Sequence, residues 1–186
     1  MKRGVIVGVL WLGLVAPACA IAPLDELRAA IRGYSLERDK PVAERLCLQR
    51  ISTAVGNLKS LADLYEGHSD LRWGLDGDSD LATKQLLDGL HAALRERLRQ
   101  ALLAGVRDST SSRQLAALHV ARLLARDPET KVRLPVEAVE RLLADRATTA
   151  PVRAAAWATL LASAATAAQL VAAFDRLAQE PEAVRA

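Results

Sequence analysis

A chain of 186 residues with 51% hydrophobic content holds enough apolar side chain for one domain with a sizeable core. Its aromatic share of only 3% means that this core is built from Leu, Ala and Val. The formal net charge is +3, but two of the 25 basic residues, Lys2 and Arg3, lie in a leader, which leaves 23 against 22 acidic residues. A nearly neutral chain with no basic block lacks the dense positive face on which non-specific nucleic-acid binding rests, so nucleic acid is not expected as a partner.

Residues 1–20 read as a secretory signal. Lys2 and Arg3 give the positive start, Val5–Val15 the apolar stretch, and Ala18-Cys19-Ala20 the small residues before a cut ahead of Ile21. The apolar stretch is too short to span a bilayer. The expected location is therefore extracytoplasmic, periplasmic or secreted. Cys19 opens a second route, a lipid anchor, and that is the one membrane attachment the sequence offers. After cleavage before Ile21, Cys47 is the only thiol left and has no partner for an internal disulfide. Its neighbours Leu46, Leu48 and Ile51 make it a small core side chain.

Residues 21–80 are expected to form N-terminal helices followed by an acidic loop. Pro23 opens the first helix, with Asp25 and Glu26 in its first turn, where carboxylates suit the positive helix end. Gly33 is expected to end it. Pro41 opens a longer helix reaching about Tyr65, with Leu46, Ile51, Val55, Leu58, Leu61 and Leu64 at helical spacing. Gly and Asp then break the pattern over 66–80, which reads as a loop, and Ser79 or Asp80 would cap the next helix.

That helix runs from about Leu81 to Gly105, with Leu87, Leu90, Leu94, Leu98 and Leu102 on one stripe. Its other face carries Arg95, Glu96, Arg97 and Arg99 and reads as solvated. Helices follow over about Ser112–Arg126, Val136–Ala144, Val152–Ser163 and Thr166–Gln179, separated by Asp127-Pro128, Pro135 and Pro151. Runs of alternating β-branched residues are absent after the leader, so no sheet is expected. Short helices joined by short polar turns predict an all-α chain of antiparallel hairpins.

Two segments echo each other, Leu115–Ala125 (LAALHVARLLA) and Val152–Ala162 (VRAAAWATLLA), and Pro181–Ala186 echoes Pro151–Ala154. Self-similarity at a spacing of a few tens of residues marks a stack of helical repeats. Asp145, then Pro151-Val152-Arg153 and the Ala-rich run to Leu160, resembles the second helix of a HEAT repeat. Glu180–Ala186 resembles the same motif beginning again, and Ser112–Ala125 is a weaker match with Arg113 in place. The resemblance implies a right-handed α-solenoid of stacked antiparallel helix pairs, a short HEAT-like array over 81–186. It also implies a scaffold or binding surface, since the family brings no catalytic residues to carry over. A chain that stops inside a repeat motif leaves its last pair without a polar cap, which is expected of a fragment of a longer repeat protein.

Chemistry is sparse. Asp76-x-Asp78-x-Asp80 imitates the start of an EF-hand, but Leu81 stands where Gly is needed and Leu87 where the bidentate Glu belongs. His68, Asp70, Asp76, Asp78 and Asp80 remain weak candidates for an irregular Ca²⁺ or Zn²⁺ site, against the plainer reading of an acidic turn. His91 and His119 sit on helices, His119 on or beside the apolar stripe as a core histidine. Catalytic motifs are missing and no cofactor is expected. The residues expected to meet a protein partner are Trp73, Arg113 and Arg153. The sequence therefore points to a non-catalytic extracytoplasmic scaffold that binds a protein. The alternatives are a small-ligand or metal binder using the 66–80 loop, or a fragment of a larger enzyme.

Overall fold

A computed structural model describes residues 22–37, 40–75, 81–164 and 166–185. Among these residues the structure is all helical. In chain order the helices are α1 (Pro23–Glu37), α2 (Pro41–Asn57), α3 (Leu61–Gly74), α4 (Leu81–Arg107), α5 (Ser111–Arg126), α6 (Val136–Ala144), α7 (Ala150–Ser163), α8 (Ala167–Leu177) and α9 (Glu182–Arg185), with one 3-10 turn at Pro128–Thr130. No helix among the described residues is long and apolar enough to cross a membrane. The residues read as a leader, Cys19 among them, lie outside the described ones.

Three boundaries differ from expectation. Gly33 does not end α1, which continues for another turn to Glu37. The long helix expected from Pro41 to Tyr65 is two helices. Leu58 takes an extended backbone and drops fully into the core, and the Ser60 hydroxyl accepts from the Asp63 amide at 3.0 Å, capping α3. The expected loop over 66–80 is helix as far as Gly74. Its apolar stripe is Leu64, Gly67, His68 and Leu71, all buried, so a glycine and a histidine occupy positions where leucines would have announced the helix. Asp63, Glu66 and Asp70 lie off that stripe.

Most helices pack on a chain neighbour, and several also on the helix two along. α1 packs on α2 and α3, α3 on α4, α4 on α2, α5 and α6, α5 on α7, and α7 on α6, α8 and α9. One continuous core results, from Leu27 in α1 to Val184 in α9, and it includes Cys47 as expected. Between α5 and α6 the chain is extended, with Val132 and Leu134 buried and Arg133 outside, the alternation of a two-residue period.

Arginine closes the helix ends. The last carbonyls of a helix have no partner inside it. Arg97 of α4 donates to Val55 O and Leu58 O at the end of α2. Arg133 Nη1 donates to Leu124 O near the end of α5 at 2.8 Å, and Arg153 Nη1 of α7 to Leu143 O at the end of α6 at 2.7 Å. Arg97 was expected on a solvated face. It is half-buried and works as a cap because the guanidinium fork places two donors on adjacent carbonyls, which an ammonium does less well.

Candidate interaction surface

The sequence-expected metal candidates do not come together. His68 is buried at 4% exposure on the core side of α3. Asp70, two residues on, points away and accepts from Arg28 Nε of α1 at 2.8 Å, while Glu66 accepts from Arg28 Nη2 at 2.8 Å. Residues two apart on a helix do not share a face, so these side chains cannot chelate one ion. Asp76, Asp78 and Asp80 lie outside the described residues. Among the described residues no group of three His, Cys, Asp or Glu side chains stands close enough to hold a metal.

His68 sits between α3, α4 and the end of α5, beside a cavity of about 50 Å³ that Tyr65, Leu124 and Thr130 help to line. Burial pushes its pKa down to about 4. His91 and Arg95 of α4 and Arg72 of α3 add positive charge in the same direction, and Asp127 opposes them. The ring is therefore neutral at pH 7. Directly above it Arg72 bridges to Asp127 and Glu129 at the α5 corner, tying α3 across the seam. That clamp was not foreseen. Asp127-Pro128 read only as a helix stop, and nothing local in a sequence says which distant arginine will answer it.

Trp73 follows Arg72 and is 71% exposed, with the Arg72 guanidinium 5.0 Å from its ring centroid. Trp73 thus presents an amphipathic ring to solvent, beside a cation that two carboxylates hold. Arg113, at the start of α5, is also exposed and pairs with Asp108 at 2.9 Å. Arg153 is not available to a partner. Besides capping α6 it forms an ion pair with Glu180, to which Trp157 Nε1 also donates at 3.0 Å. Arg153 holds the Glu180 carboxyl below the usual carboxylate range. The motif position that suggested a binding arginine is spent on joining α6, α7 and the turn before α9. His119, expected in the core, is exposed, with Arg122 Nη2 3.4 Å from its Nδ1. The helix turns Ala117, Leu118 and Ala121 inward instead.

Two open grooves of mainly apolar lining lie among the described residues. One, of about 580 Å³, lies between α6 and α8 and is lined mainly by Leu134, Val136, Leu160, Ala172 and Ala173. The exposed ion pair of Arg176 with Glu140, 3.0 Å, crosses between the same two helices. The other, of about 530 Å³, lies between α1 and α2. Neither carries a nucleophile beside a base. No protein-family model, curated protein or solved structure matches the chain.

Proposed function

We propose that the protein is a non-catalytic helical-repeat scaffold, a short right-handed HEAT-like α-solenoid that works outside the cytoplasm and holds a protein partner. The observation that carries this reading is the packing pattern: α1 packs on α3, α5 on α7 and α7 on α9, beside α2 on α4 and α4 on α6, which read as two neighbouring rows, with the Arg72–Asp127 ion pair linking α3 to the end of α5. A pair that covers the face of the pair before it and leaves its own face for the next is how repeat stacks bury their core. Such a stack offers its partner a ridge, and Trp73 is the anchor on it, with Arg113 as a second exposed contact. Hot spots in protein interfaces favour Trp and Arg.

In-cell cross-linking of the tagged protein, with mass spectrometry of what is captured, tests this. One protein is expected to be captured reproducibly and to be lost or strongly depleted with Trp73→Ala. Equal capture by the variant removes Trp73 from the interface, and capture of nothing above the untagged control removes the scaffold reading. Determining the N-terminus of the accumulated protein tests the location. A start at Ile21 fits the signal reading, and an intact Met1 sinks it.

A further inference from the structure

Two groups of exposed apolar side chains lie on α2 and α8, far apart in the order of helices, and the two faces differ in shape and charge. On the first, α2 turns Val42, Leu46, Gln49 and Thr53 outward, a strip at spacings of three and four residues, with Arg45 and Arg50 flanking it on either side. Its one acid, Glu44, turns inward and accepts from the Tyr34 hydroxyl at 3.2 Å. Beside this strip runs the groove between α1 and α2, floored by Ala29, Ala30, Gly33 and Ala54, with Glu26 on the far lip. On the second, α8 turns Leu170, Val171 and Phe174 outward, and Phe174 is 51% exposed. Asp175 flanks that ridge, and the adjoining α9 exposes both Glu182 and Arg185. The one arginine of α8, Arg176, faces the opposite way and is held by Glu140 and the Trp157 ring.

We propose that copies of this chain associate end to end, the α8 ridge of one copy seating on the α2 strip and the α1–α2 groove of the next. The inference rests on the stacked reading above: α8 packs on α7 and buries only Ala173, so its outer face is open to the α2 of a second copy. A groove floored by small residues accepts a ridge of large ones, as in helix packing generally. The nearest charges agree as well, with Arg45 and Arg50 beside the receiving strip, Glu26 across the groove from it, and Asp175 at the entering ridge. Because the two faces are different surfaces, the contact is heterologous and does not close at a dimer.

Sedimentation velocity over a wide concentration range, on the protein as it accumulates in the expressing cell, tests this. The mass of the wild type is expected to rise continuously with concentration, past that of a dimer. Leu46→Glu and Phe174→Glu each block one end, and both positions are exposed, so circular dichroism is expected to stay unchanged. Each variant alone is expected to be monomeric. An equimolar mixture still contains one intact pair of ends and is expected to give a mass twice that of the monomer and nothing larger. A wild type that stays monomeric throughout, a single variant that still self-associates, or a mixture that does not pair overturns the proposal. Small-angle scattering on the monomeric variants reads the stack separately. An elongated monomer that does not associate leaves the two-row reading standing and removes only the end-to-end contact.

Discussion

At the scale of single residues, His68 is the side chain whose environment most changes its chemistry. An unfolded histidine titrates near pH 6.5, and the folded ring near 4. A group whose folded pKa lies below its unfolded one contributes stability above the unfolded value and loses it as pH falls toward the folded one. Stability is therefore expected to fall between pH 6.5 and 4, by at most about 3 kcal/mol from this residue. Urea titrations at pH 7.5 and pH 4.5 check it. His68→Gln is expected to narrow the gap between the two midpoints, and an unchanged gap would show that other groups set it. Sequence reading placed this histidine in a loop because Gly67 and the acidic neighbours hid the stripe formed by Leu64, His68 and Leu71. Only burial against α4 and α5 reveals it as a core residue.

Elements meet at distances that single side chains decide, and two glycines of α4 show both outcomes. A Cβ added at Gly105 would stand 2.7 Å from the Ala117 Cβ of α5, so the two helices cross there with no room for a methyl group. At Gly89 the same atom meets nothing within 4 Å. Gly105→Ala is expected to destabilise by about 1–3 kcal/mol through overpacking. Gly89→Ala is expected to stabilise by up to about 1 kcal/mol, because alanine loses less backbone entropy on entering a helix. Chemical denaturation of both variants compares them directly, and shifts of the same sign would mean that the crossing adjusts freely. The Leu87–Leu94–Leu98–Leu102 stripe was legible from spacing alone. Which of the two glycines touches a neighbour was not, since a helix repeats every few residues whatever packs on it.

For the whole molecule, the order of packing predicts where it opens first. α7 packs on four other helices, α5 among them, and Thr159 Oγ1 of α7 reaches across to Leu118 O of α5 at 3.1 Å. α8 buries only Ala173. In a linear arrangement, local stability is the sum of an element's own propensity and its contacts with neighbours. Amide exchange is therefore expected to be fastest in α8 and slowest in α5 and α7. Equal protection in α8 would require a covering that the described residues do not supply, such as the second copy proposed above.

The sequence by itself determined the helical class, the ends of α4 through α7 to within about two residues and the buried Cys47. These follow from properties that travel with each residue: propensity, the periodicity of leucines, and proline at helix starts. The tertiary structure alone decided the break at Leu58–Ser60, the helix in place of the acidic loop, and the fate of the arginines. Arg153 and Arg97 are committed to carbonyls and carboxylates inside the molecule, whereas Arg113 stays at the surface. An arginine is equally suited to a partner, to solvent or to a helix end. Which it meets depends on the residues that packing brings within reach of its side chain, and those lie tens of residues away in the chain.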